Sequence, residues 1–125
     1  MPEAINALLI EDSPIHARLI QSLLDDVDGQ RFEVDIADRM ESGLQRLRQG
    51  GVDIVLLDLV LPDSQELASY FRVRAEATDL PVVILTGIDD VTLAARAVEA
   101  GAQNFMVKTK STPCPWVVPS TTPWR

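Results

Sequence analysis

Apolar residues in the first 108 positions fall into two alternating kinds of run. Ala7 to Ile10, Ile54 to Leu57, Pro81 to Leu85 and Asn104 to Val107 are short blocks of strand length. Phe32, Val34 and Ile36 alternate with polar neighbours, the pattern of a half-buried edge strand. The uninterrupted runs at 54–57 and 81–85 instead fit strands covered on both faces. Between these blocks, apolar positions recur at helical spacing: Ile15, Leu19, Ile20 and Leu23; Met40, Leu44 and Leu47; Leu67, Tyr70 and Phe71; Leu93, Ala94, Ala97 and Val98. Ser13-Pro14 is a capped start for the first helix, which should end near Asp28-Gly29. Gly50-Gly51 closes the second helix; Asp89 or Asp90 caps the fourth and Gly101 ends it. This β-α alternation with short connections predicts an α/β fold, a doubly wound five-stranded parallel sheet.

The alternation stops at Lys108. Residues 109–125, TKSTPCPWVVPSTTPWR, hold four of the eight prolines, both tryptophans and the one cysteine. No helix runs through Pro113, Pro115 and Pro119, because each lacks an amide donor and its ring clashes with the preceding turn. The division expected is therefore a domain over 1–108 and a Pro/Ser/Thr/Trp-rich tail over 109–125. The tail is read in three ways: as a non-native end, as a linker to an output domain, or as an alternative cap anchored by Trp116 and Trp124.

Composition narrows the function classes. A chain of 125 residues with 46% hydrophobic content is the size of one packed domain. Its single cysteine, Cys114, excludes an internal disulfide framework. No apolar run approaches the ~20 residues of a membrane helix, and MPEAINALLIED has neither the basic start nor the cleavage site of an export signal. A cytoplasmic protein is expected, with no membrane contact. The net charge is −8, and Lys110 with Arg125 put +2 in the tail, leaving −10 on residues 1–108. Direct nucleic-acid binding needs clustered basic residues and is not expected.

Candidate chemistry sits at the strand ends: Glu11-Asp12, Asp58, Thr86 and Lys108. In a parallel sheet these ends share one edge, where doubly wound folds bind ligands. Taken singly, each has a plain alternative. Asp58 could start a turn, Glu11-Asp12 could favour a helix N-terminus, Thr86 could be a strand residue and Lys108 an exposed terminus. Their joint occurrence at successive strand ends is what discriminates. Clustered carboxylates repel unless protons or a cation intervene, and oxygen-only ligands suit a hard ion such as Mg²⁺. A carboxylate, a hydroxyl, an ammonium and Mg²⁺ together make a phosphoryl-accepting site. His16 reads as a solvated side chain with no metal partner, and Cys114 as a bystander.

With these residues in view, the stretches ALLIEDSPIHARLI, DIVLLDLVLPDS, LPVVILTG and AGAQNFMVK make the chain resemble the receiver domain of two-component response regulators over roughly residues 5–108. The resemblance implies the flavodoxin-like strand order 2-1-3-4-5. It makes Asp58 the phosphoacceptor, taking its phosphoryl group from a phosphohistidine on a sensor histidine kinase or histidine phosphotransfer protein. Asp12 and Asp58 would bind Mg²⁺ directly with the backbone carbonyl of Val60, and Glu11 through water. Thr86 would hydrogen-bond a phosphoryl oxygen, Lys108 would pair with the phosphorylated carboxylate, and Phe105 would be the switch aromatic. Phe105 is equally readable as a plain core residue. The surface of the fourth helix and fifth strand would report the switch to an output domain, a partner protein or a second copy. Such a domain is not an enzyme with a diffusible substrate, although it may assist its own phosphorylation and dephosphorylation.

Three positions depart from the family pattern. Thr109 replaces the proline that usually follows the lysine, so a trans peptide is expected there. Glu66 stands where glycine is common, and the tail replaces a fifth helix. Without that helix, the face around Ala7, Leu9, Val83 and Phe105 would be apolar and open to association. A non-phosphorylated pseudo-receiver acting as an interaction module is the alternative function. A haloacid-dehalogenase-like phosphatase would need a second acid where Val60 stands. A flavodoxin-like cofactor site would need a phosphate-cradling first loop in place of Glu11-Asp12-Ser13-Pro14.

Overall fold

The computed structural model describes residues 4–26, 29–61, 63–65, 67–86 and 91–107. Asp89, Asp90, Glu66, Lys108 and the tail, with the Lys108–Thr109 peptide, lie outside these described residues. The described chain forms β1 (Ile5–Ile10), α1 (Pro14–Asp25), β2 (Phe32–Ala37), α2 (Met40–Gln49), β3 (Ile54–Asp58), α3 (Leu67–Glu76), β4 (Val82–Thr86), α4 (Val91–Glu99) and β5 (Asn104–Val107). The five strands are all parallel, in the order β2-β1-β3-β4-β5. This is the order and architecture that the alternating pattern and the resemblance led us to expect. One element escaped the pattern: Val60–Leu61 pairs antiparallel with Ser64–Gln65 in a two-residue ladder directly after β3.

Each strand's alternation splits the core in two. Leu8, Ile10, Val55, Leu57, Val82 and Ile84 face α2, α3 and α4. Ala7, Leu9, Ile54, Leu56, Val83, Leu85 and Met106 face the side of α1. β3 and β4 are buried at every position, which explains their uninterrupted apolar sequence. β2 is an edge strand, with Ile36 half exposed. Phe105, expected on the α1 face, lies on the opposite one. It is in register with Ile84, and paired residues of parallel strands point to the same side. Met106 takes the place expected for it.

The helices follow their spacing with two shifts of phase. In α1 the inward stripe is Ala17, Ile20 and Leu24, whereas Ile15 is 78% exposed. In α3 the buried residues are Ser69, Tyr70 and Val73, and Phe71 faces solvent. α2 buries Met40, Gly43, Leu44 and Leu47, as expected apart from the glycine. Gly43 allows α2 to lie close on β1: a Cβ there would fall 2.6 Å from Ile10 Cδ1 and 2.9 Å from Cγ1. Ser13 caps α1, its Oγ accepting the His16 N–H at 3.4 Å, with Pro14 in the first turn.

α2 is capped from outside its own sequence. Its flanking Arg39 makes no side-chain cap, and the Asp63 carboxylate instead accepts the N–H groups of Met40 (2.7 Å) and Glu41 (3.0 Å). The slight desolvation of Asp63 raises its pKa. The backbone N–H donors of Met40, Glu41 and Asp63 itself, with the charge of Arg72, outweigh that and hold it below the ordinary 3.8. At the opposite edge of the sheet, Arg74 is the main tie. Its guanidinium donates to the carbonyls of Ala77 (3.1 Å), Thr78 (3.2 Å) and Leu80 (2.8 Å) and to the Tyr70 hydroxyl (3.1 Å).

Two stability predictions result. Gly43→Ala gains helix propensity but must displace the buried Ile10; a net loss of about 1 kcal/mol is expected, read as a lower denaturation midpoint at unchanged slope. Asp63→Ala should cost on the order of 0.5–2 kcal/mol, the usual range for a lost cap. Because the folded-state pKa is depressed, that contribution is fully present above the unfolded carboxyl value and disappears as pH falls through the folded one. The gap between wild type and variant in urea titrations should therefore be widest at pH 7 and narrow as the pH is lowered below 3.8.

Candidate functional site

The parallel register assembles the carboxyl edge. Ile10 pairs with Leu57, which puts the next residues, Glu11 and Asp58, side by side. Asp58 pairs with Leu85, so Thr86 lies one step further along the neighbouring strand. Carboxylate oxygens of Glu11, Asp12 and Asp58 all come within 4.8 Å of one another. Glu11 and Asp58 are buried and Asp12 is exposed, so the cluster has a protein-lined floor and an open mouth. Thr86 is buried beside it, at 4% exposure.

Local structure holds the acids in place. Glu11 donates its N–H to the Ala37 carbonyl (2.9 Å), continuing the β1–β2 ladder by one residue. Its Oε2 accepts the Ser13 N–H at 3.2 Å, so the cap of α1 also orients the carboxylate. Like charges this close repel, and a cation between them relieves that repulsion. Among the described residues the three acids each offer a carboxylate oxygen to the group, and Asp12 opens it to water. That donor set fits a hard divalent ion such as Mg²⁺.

The remaining expected residues are placed less completely. Val60 follows Asp58 by two residues and sits in the small ladder, opposite Gln65. Phe105 is half-buried on the face of α2, α3 and α4, two residues before Val107, the ladder partner of Thr86. Lys108 lies outside the described residues.

Two features were not foreseen. His16 is only partly solvated: its Nδ1 is buried without a hydrogen bond and lies 3.9 Å from Glu11 Oε1. Its position one turn past Ser13, on the helix that follows the acid pair, was the available signal. The second feature is Ser69, fully buried in α3, whose Oγ donates to the Leu59 carbonyl at 3.0 Å. A serine within the inward stripe of a helix signals such a bond, because a buried hydroxyl without a partner is costly.

Comparison with known proteins agrees with this geometry. A family profile described as the response regulator receiver domain matches residues 7–113. The transcriptional regulatory protein DltR of Streptococcus agalactiae is 32% identical over 101 residues, 81% of this chain and 44% of its own length. The swarming motility regulation protein RssB of Serratia marcescens is 30% identical over 104 residues, 83% of this chain and 46% of its own. The chain thus spans less than half the length of these relatives. Among solved structures, the N-terminal signal receiver domain of a two-component response regulator from Bacteroides fragilis superposes with a TM-score of 0.73 at 27% identity, covering 85% of each chain. With its sheet order, its acidic carboxyl edge and the match over residues 7–113, the chain belongs to the response regulator receiver domains of two-component systems.

Proposed function

We propose that this receiver accepts a phosphoryl group on Asp58 from a phosphohistidine and switches the surface formed by α4 and β5. The observation that carries this reading is the convergence of Glu11, Asp12 and Asp58 within 4.8 Å, with Thr86 buried at the end of the adjacent strand. An Asp58 carboxylate oxygen attacks phosphorus in line with the leaving imidazole. An O–P bond forms, the P–N bond breaks, and the imidazole nitrogen keeps the electron pair and takes up a proton. Asp12, Asp58 and the Val60 carbonyl would hold Mg²⁺, with Glu11 acting through water. Bound there, the ion supplies positive charge for the equatorial phosphoryl oxygens.

The Thr86 hydroxyl donates to one phosphoryl oxygen, and Lys108 pairs with the phosphorylated carboxylate. The added group carries about −1.5 to −2 charges and three acceptor oxygens, enough to bias a two-state arrangement of Thr86, Phe105 and α4. The partner on the donor side is a sensor histidine kinase or a histidine phosphotransfer protein in the cytoplasm. On the output side it is an attached domain or a separate protein. The curated relatives, regulatory proteins by name, support a signalling output. No helix among the described residues is long and apolar enough to cross a membrane.

Incubation with acetyl phosphate and Mg²⁺ should add the mass of one phosphoryl group, seen by intact-mass spectrometry. The adduct should vanish in Asp58→Asn and on chelation of the metal. Thr86→Ala should slow its formation by on the order of 10- to 100-fold, as expected for removal of one donor to a developing anion. A folded wild-type protein that takes no adduct overturns the reading. Mg²⁺ at about 100 times its dissociation constant should stabilise the protein by about 2.7 kcal/mol. Asp12→Asn should lose most of that gain in a thermal melt.

A further inference from the structure

Segment 59–63, which follows the candidate phosphoacceptor, is fastened at both ends. At its start the Leu59 carbonyl accepts the Ser69 hydroxyl at 3.0 Å. Leu59 is 3% exposed and Ser69 is fully buried, so solvent does not compete for this bond. At its end Asp63 is held twice. Its carboxylate accepts the N–H groups of Met40 (2.7 Å) and Glu41 (3.0 Å) at the start of α2, and its carbonyl accepts Arg72 Nη1 at 3.2 Å from α3. Between the fastenings, Val60–Leu61 pairs with Ser64–Gln65.

We propose that Ser69 and Asp63 are positioning residues of the divalent-ion site, fixing the backbone that carries the Val60 carbonyl. The inference rests on the reading above in which that carbonyl, Asp12 and Asp58 bind Mg²⁺. A backbone ligand has no rotamer with which to adjust. Its location is set by the segment that bears it, and Mg²⁺ tolerates little departure from octahedral geometry at 2.0–2.1 Å. Groups that hold a ligand without touching the metal therefore act on affinity.

The chemistry of the two side chains fits this role better than a role in helix packing. Ser69 occupies an inward position of α3 beside Tyr70 and Val73, where alanine would suit both propensity and packing. Its hydroxyl reaches the residue immediately after Asp58. Asp63 is exposed, yet both of its carboxylate oxygens are engaged by α2.

Calorimetric titration of the full chain with MgCl₂ tests the proposal, with Arg74→Gln as control because Arg74 stabilises the opposite edge of the sheet. Ser69→Ala and Asp63→Ala should each weaken Mg²⁺ binding by about 10-fold, the scale of outer-shell substitutions at metal sites. Asp63→Asn, which keeps one acceptor oxygen, should fall in between. Arg74→Gln should stay within about twofold of wild type even if its melting temperature drops as far. Amide exchange at Leu59 to Leu61 in the metal-free protein should quicken in the two alanine variants but not in Arg74→Gln. Unchanged affinity in both alanine variants, or an equal loss in Arg74→Gln, overturns the proposal. Normal wild-type binding with unaffected variants overturns it alone. A wild-type protein that binds no Mg²⁺ overturns the parent reading and this inference with it.

Discussion

The parallel pairing of β1, β3 and β4 is the constraint on which the rest of the molecule depends. β3 and β4 are buried along their whole length, and four of the last residues of β1 are buried as well. Both faces of these strands are packed, so a slip of one residue would put every side chain into a space shaped for another. Register is therefore strongly specified, and it sets the carboxyl edge. Glu11 stands next to Asp58 because Ile10 is locked to Leu57; Thr86 follows because Leu85 is locked to Asp58. The hydrophobic effect, acting on residues with no chemistry of their own, places those that have it.

What the core assembles is a concentration of negative charge at one edge of the sheet. Glu11 and Asp58 are withdrawn from water, and Asp12 adds a third carboxylate at the mouth. The surrounding contacts hold this arrangement in place. Ser13, as helix cap, orients Glu11; Ser69 and Asp63 fasten the segment beyond Asp58. Each is a small polar group serving a backbone or carboxylate atom, and together they restrain the edge from three directions. At the opposite edge Arg74 ties the end of α3 to the Ala77, Thr78 and Leu80 carbonyls.

Much of this was legible along the chain, and the misses have definite causes. Strand identity, the edge position of β2 and the inward stripes of α2 and α4 followed from periodicity, because burial on one face or two leaves a direct imprint on the sequence. Ile15 matches the period by count, but it lies on the side of α1 away from the stripe of Ala17, Ile20 and Leu24. Phe105 reads onto the wrong face from sequence because β5 is short, and alternation over four residues does not fix a side until its partner is known. The contact of His16 with Glu11 and the Asp63 cap on α2 join residues that periodicity treats as unrelated.

By itself the sequence determined the α/β class, the order of the elements and the set of strand-end acids, hydroxyl and amine from which family membership could be inferred. These depend on local spacing and on which residues end each apolar run. Only the tertiary structure decided which face each short strand presents, that the Asp63 carboxylate caps α2, and that the three carboxylates come within 4.8 Å. Those outcomes depend on pairing between residues up to tens of positions apart, and such pairing is chosen by the packing of the whole core.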